Sequence, residues 1–463
     1  MPDKKLFEEF PAVSAEQWIQ QVVKDLKGES FDEKLKYVSA DGISIDPFYT
    51  AENLTKYNEC KPLFSHSDWE VCDRIVVKDE KKANNKALNA LNNGASGLVF
   101  HVSSTVELDI LLNEIQIEYI AVQFVLTEGA IAFSEKLNAY ISSKKIDAKK
   151  LNMVVNVDPI GMLAKTGESK GDKNEPAAIF SADNSMRTIN VNAAVYQNAG
   201  ASQGYEIACA LAHLNEYINV FKDSNIEPSV LANKIQINIA VGPDYFFEIA
   251  KLRAYRKVFA LLFEEYNIAG EIYMHAETSF RNLTVFDAHN NLLRSTTEAM
   301  AASIGGCNSL TVLPFDAAYS ESNDFAERMA RNIQLILKSE SYFDKIADAS
   351  AGTYFIEELT EQLAEKAWNY FMEMEKDGGL TASLEKGKIQ SKIKQFAAMK
   401  QEAFDSGKEV LVGTNKFPDT KENKKDKQDS IVWGNEAATG KTIEPLTALR
   451  LSAANEQQRL ANS

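Results

Sequence analysis

From about residue 97 onward, short apolar runs alternate with long stretches whose apolar positions recur every three or four residues. The short runs predict strands at GLVFHVS (97–103), YIAVQFVL (119–126), LNMVVNVD (151–158), RTINVNAAV (187–195), KIQINIAVG (234–242), EIYMHAE (271–277) and NSLTVLPF (308–315), with a weaker one near Asp348–Phe355. The long stretches predict amphipathic helices, for example over 202–223 and 244–266. Eight strands separated by helices imply a parallel sheet. Eight such units in this length imply an α/β chain closed into a (β/α)8, or TIM, barrel. A doubly wound open sheet is the main alternative, and the lack of GxGxxG after the first strand counts against it.

Residues 1–60 precede the repeating part as an N-terminal arm. Within it SAEQWIQQVVKDLK (14–27) predicts a short helix: Ser14 and Gln17 form a capping box, Gly28 ends it, and Trp18, Val22 and Leu26 form one apolar row. The barrel is expected over 61–378. Residues 379–418 are expected to close it with helices and a strand-like KEVLVGTNKF (408–417). Residues 419–463 follow as a charged linker and tail, the tail holding a short helix near 443–460.

The strands alternate in an unusual way. A barrel interior is ordinarily filled by branched apolar side chains. Here one strand face carries Asn152, Asn156 and Asp158, another Thr188, Asn190 and Asn192, another Gln236 and Asn238, another Tyr273, His275 and Glu277, and another Ser309 and Thr311. The opposite faces carry Ile189, Val191, Ile235, Ile237, Ile239 and Leu310. Helices must cover the apolar faces, so the polar faces point inward. Buried amides need partners, each missing one costing roughly 1–3 kcal/mol. The pattern therefore implies a wet channel or polar ligand along the axis, or else a satisfied network in a closed core.

Composition narrows the function. The net charge of −16 over 463 residues disfavours nucleic acid and anionic membrane as partners. The four cysteines, Cys60, Cys72, Cys209 and Cys307, have no zinc spacing and no CxxC, as expected of free thiols in a reducing cytoplasm. The N-terminal MPDKKLFEEFP has no apolar signal core, and no apolar run reaches membrane length.

Several blocks resemble the methylmalonyl-CoA mutase family, within the cobalamin-dependent acyl-CoA mutases. FEEFPAVSAEQWIQQVVKDLKGESFDEKL (7–35) is similar to the opening of its small (β) subunits. RSTTEAMAASIGGCNSL (294–310), ERMARNIQLILKSES (327–341) and EVLVGTNKF (409–417) resemble blocks of both chains. The resemblance implies a barrel enclosing a radical rearrangement of (R)-methylmalonyl-CoA to succinyl-CoA on adenosylcobalamin, with the CoA tail along the polar axis. It places His275 where the large chain has a histidine acting on the thioester carbonyl. That histidine is followed by QTSGW in the family but by AETSFRN here, so Glu277 replaces a glutamine, and its charge is expected to raise the His275 pKa. Lys234 stands where an arginine serves the substrate carboxylate, without the bidentate fork. Val312 replaces the histidine of SLHTN, and the tyrosine segment after RPW is absent. Gln334 and Glu357 match positions near the cofactor side, while the tryptophan of PWGGS is missing from ASAGT. The cobalt-ligating DxHxxG has only DAHNNL (287–292) as a counterpart, with Leu292 for glycine, and no flavodoxin-like cobalamin domain is expected after the linker.

The resemblance thus implies a small subunit in which His275 is a degenerate catalytic position, no metal is bound, and adenosylcobalamin is held mainly by a large (α) partner in a heterodimer. A CoA thioester is a candidate ligand. An active barrel borrowing a separate cobalamin-binding subunit is the alternative. A stand-alone barrel enzyme using His275 and Glu277 as an acid–base pair is a third reading, resting only on their i, i+2 spacing.

Overall fold

The computed structural model describes residues 10, 13–50, 52, 62–169, 171–182, 186–321, 323–422 and 442–462. The N-terminal leader, Cys60 and most of the charged linker lie outside these residues.

Eight parallel strands surround one axis: β1 (Glu70–Val76), β2 (Gly97–His101), β3 (Ala121–Val125), β4 (Asn152–Asn156), β5 (Ile189–Asn192), β6 (Ile235–Val241), β7 (Tyr273–Thr278) and β8 (Ser309–Thr311). Their order is β4-β3-β2-β1-β8-β7-β6-β5. The ring is completed between β4 and β5 by a parallel bridge, Val154 to Arg187. There the Arg187 N–H donates to Met153 O at 3.1 Å, and the Val155 N–H to Arg187 O at 3.2 Å. The α/β class and the (β/α)8 barrel follow from this topology.

Two strand readings change. The first barrel strand is Glu70–Val76, and Asp348–Phe355 is not a strand. EVCDRIV hides its periodicity because Asp73 and Arg74 interrupt the apolar pattern. Asp73 faces the helices and pairs with Arg331, while Arg74 faces the mouth. In the other segment Asp348 at φ 43° and Gly352 at φ 79° force a left-handed turn before the helix Tyr354–Lys376. KEVLVGTNKF is also a loop, retaining only a Val412–Lys416 bridge. The Asn415 side chain takes up the Leu411 N–H and donates to Phe404 O and Glu409 O, so these backbone groups need no ladder.

The apolar strand faces and the surrounding helices form the core. Leu98, Phe100, Val122, Phe124, Met153 and Val155 pack under one side; Ile189, Val191, Ile235, Ile237 and Ile239 pack under the other. The helices Gln203–Asp223 and Tyr245–Glu265 are covered a second time by Tyr354–Lys376. That second layer explains why they are apolar nearly all round. Asp158 secures the seam. Its carboxylate accepts from the Gly161 and Asn192 amides at 2.8 and 2.9 Å and from Tyr217 Oη at 2.7 Å, and Oδ1 lies 2.9 Å from His213 Nε2. Burial pushes its pKa up, but His213 and these hydrogen bonds outweigh it and hold the carboxyl below its ordinary value.

The arm begins with the helix Ala15–Asp25, closed by the Ser14–Gln17 capping box. Trp18 packs on Phe48 at 4.6 Å, and Tyr37 meets Phe247 of the barrel layer at 6.3 Å. The tail ends in the helix Ala453–Asn462, which overlaps the C-terminal part of the predicted 443–460 region and runs past its end.

Candidate functional site

His275 does not sit at a strand end. β7 continues to Thr278, so the imidazole projects into the middle of the bore. It is the centre of a hydrogen-bonded layer drawn from four strands. Nδ1 lies 2.9 Å from Gln123 Nε2 and 2.8 Å from Ser309 Oγ, and Nε2 lies 3.3 Å from Thr311 Oγ1. Gln236 Nε2 extends the layer to Gln123 Oε1 at 2.9 Å and Asn238 Oδ1 at 3.0 Å. A neutral ring donating from Nε2 and accepting at Nδ1 satisfies these contacts. Gln123, Gln236, Ser309 and Thr311 are all buried. Close by, a Cβ on Gly97 would stand 2.5 Å from Cys72 Sγ, so the bore is narrow there as well. The middle of the axis is therefore filled by interlocked side chains.

This environment reverses the expected His275 titration. Burial lowers its pKa to about 3. Glu277 does not offset this, because it turns to the mouth and pairs with Arg74 at 3.6 Å. His275 and Glu277 thus have separate partners and form no acid–base pair. Since the folded pKa lies below the unfolded value, protonation of His275 opposes folding as pH falls from about 6.5 toward 3. A nitrogen-15 titration is expected to show a neutral His275 ring from pH 5 to 9. A midpoint near 6.5 would contradict the closed layer.

The remaining predicted site residues lie apart. Lys234 is half-buried just before β6, at the N-terminal end of the bore. By the strand register it is six residues of rise below Glu277, roughly 20 Å away. Gln334 lies in the helix Asp324–Ser339, where its Oε1 accepts from Trp69 Nε1 at 3.2 Å. Glu357 lies in the outer helical layer, where its Oε1 accepts from Arg253 at 2.7 Å and from the Gly352 amide at 2.9 Å. Residues missed from the sequence include Gln123, central to the His275 layer, and Arg74, at the mouth. Gln123 is the lone polar residue on its strand, so no alternation marked it.

The histidines do not fit a cobalt ligand. His66 contacts Gly306 O at 3.1 Å, His213 contacts Asp158, and His289 starts a helix against Phe315. His101 at the mouth has its pKa pushed down to about 3 by burial and by the charges of Arg74 and Lys165. Among the described residues no group of three or more His, Cys, Asp or Glu could hold a metal ion. Cys72, Cys209 and Cys307 are free and buried, and no described helix is long and apolar enough to cross a membrane.

Comparison with known proteins places this geometry. Residues 86–462 match the family model described as methylmalonyl-CoA mutase. The methylmalonyl-CoA mutase small subunit of Porphyromonas gingivalis is 36% identical, aligned over 99% of this chain and 78% of its own length. The small subunit of Streptomyces virginiae is 29% identical over 90% of this chain and 73% of its own. The large subunit of Porphyromonas gingivalis is 33% identical, but over 57% of this chain and 36% of its own. The small subunits thus align along nearly all of this chain and about three quarters of their own length, the large one along little more than half of this chain. With the barrel and a matched segment covering most of its length, the chain belongs to the methylmalonyl-CoA mutase family.

Proposed function

We propose that this chain is the small, non-catalytic subunit of a heterodimeric methylmalonyl-CoA mutase. It pairs with a large chain that binds adenosylcobalamin and converts (R)-methylmalonyl-CoA to succinyl-CoA, and it stabilises that chain. The observation that carries this reading is the His275 layer: the imidazole at the family's catalytic position is neutral, engaged at both nitrogens and enclosed. An acid for the thioester carbonyl needs an open position beside the reacting atom. Lys234, in place of the substrate-binding arginine, stands at the N-terminal end of the bore, four residues of strand rise below the His275 level. A CoA thioester is therefore taken by the partner's barrel. The occurrence of proteins named large and small subunit in Porphyromonas gingivalis agrees with a two-chain enzyme. The arm supplies a docking element: its first helix buries no residue and leaves Ile19 and Val23 exposed one turn apart. Buried reduced thiols suit a cytoplasmic complex.

The test is the native mass of the complex isolated gently from its own cells, followed by activity of the separated chains. The 51.4 kDa chain is expected to travel with one cobalamin-bearing chain of roughly 75–80 kDa, a barrel plus a cobalamin domain. Alone with cofactor and substrate it is expected to be inactive. Turnover by this chain combined only with a small cobalamin-binding chain would overturn the reading and make its barrel the catalytic half.

A further inference from the structure

Below the His275 layer, the bore contains polar groups that the network does not use. Arg187 enters from the seam between β4 and β5. Its guanidinium stacks on the Tyr273 ring, with Cζ 3.9 Å from the ring centre, and donates to Asn152 Oδ1 at 2.5 Å. Both partners are neutral. Among the described residues no carboxylate pairs with Arg187, and burial, opposed by Tyr273, lowers its pKa. The register sets Asn190 of β5, Gln236 of β6 and Tyr273 of β7 side by side, with Thr188 one step below Asn190 on the same face. Thr188, Asn190 and Gln236 are fully buried. Asn190 Oδ1, Asn190 Nδ2, Gln236 Oε1, Thr188 Oγ1 and Arg187 Nε all lack a hydrogen-bond partner among the described residues.

Buried polar atoms are rarely left unpaired, and a concentration of them in one layer points to an occupant. Water would meet the needs of the amides and the hydroxyl. It would not balance a largely buried guanidinium, which requires a counter-charge or a large desolvation cost. An anion does both.

We propose that Arg187 and the neutral polar ring beside it form a binding site for a small oxyanion of the phosphate or carboxylate type, entered from the N-terminal end of the barrel. Arg187 supplies the charge and a donor fork suited to an oxyanion. Asn190 Nδ2 and the Thr188 hydroxyl add neutral donors. Asn190 Oδ1 and Gln236 Oε1 accept from a protonated oxygen of hydrogenphosphate, or from a water bound with the anion. The Gln123–His275–Ser309 layer seals the site from the opposite mouth, so the occupant is small. The site stands apart from the mutase reaction and from the subunit role proposed above.

The test is thermal melting of the purified protein, together with whatever chain accompanies it, at constant ionic strength in phosphate, acetate or a chloride reference. Wild type and Arg187→Gln are compared. At roughly 100 times its Kd, phosphate or acetate is expected to raise the wild-type melting temperature by about 2–3 °C over chloride, and not that of the variant. The anion giving the larger rise identifies the type. No rise in either anion, an equal rise in the variant, or protection by coenzyme A alone would overturn the proposal. Should Arg187→Gln fail to fold, wild-type crystals soaked in selenate decide: a selenium anomalous peak beside Arg187 supports the site, and ordered water alone overturns it.

Discussion

Replacement of Arg253 by alanine is expected to destabilise the folded chain by about 3–5 kcal/mol, the scale for breaking a buried ion pair by removing one partner. Arg253 is fully buried in the helix Tyr245–Glu265 and pairs with both Asp348 and Glu357. Removing it leaves two carboxylates in a low-dielectric layer with no cation between them. The effect also spreads, because Asp348 Oδ2 accepts the Leu63 N–H at 2.8 Å and so ties the entry to β1 to this layer. Glu357, whose segment resembles a cofactor-side block of the family, is here one arm of that structural clamp. Denaturant unfolding measures the loss. Adding Asp348→Asn and Glu357→Gln to the alanine variant is expected to recover part of it, since the stranded charges are gone. A loss below about 1 kcal/mol, the scale of an exposed pair, would show that the clamp is not buried as described.

The second large effect depends on pH and centres on Glu298. Its carboxyl is buried in the helix Asn290–Ile304, with Oε1 3.4 Å from Asn282 Nδ2 and Oε2 unpartnered among the described residues. Burial raises its pKa to about 8, with the like charge of Glu248 adding to it; Asn282, the Ser279 backbone and Arg294 oppose the shift. Beyond Glu248 lies Lys251, which contacts Glu248 at 2.7 Å and Glu206 at 2.9 Å. Burial also raises Glu206, to about 7, against the pull of Lys251. The folded pKa values exceed the unfolded ones, so the native state holds extra protons between about pH 4.5 and 8. This stabilisation is complete below the unfolded pKa and is lost as pH rises through the folded one. Wild type is therefore expected to weaken toward pH 8. Glu298→Gln, which keeps the neutral shape, is expected to be more stable than wild type by roughly 3–5 kcal/mol at pH 8.5 and by no more than about 1 kcal/mol at pH 5. Denaturant midpoints at the two pH values give the comparison. A difference that does not change with pH would mean that Glu298 is ionised in the fold.

Periodicity in the sequence determined the alternation of strands and helices, and therefore the barrel. It also determined that the inner faces would be polar, because Asn, Gln, Ser and Thr recur at every second position opposite Ile and Val. The capping box of the first helix is equally local: Ser14 and Gln17 can satisfy the free amides only of their own helix. Only the tertiary structure decided the rest. β1 is invisible to periodicity because Asp73 and Arg74 are polar for different reasons, one facing a helix and one facing the mouth. The character of His275 was set by Gln123, Ser309 and Thr311, which are 152, 34 and 36 residues away. Neighbouring Glu277 predicted a raised pKa, yet it faces Arg74, and burial lowers the imidazole instead. Local sequence fixes which way a side chain points from its strand. Ring closure fixes what it meets there, and so which groups are charged, enclosed or left for a ligand.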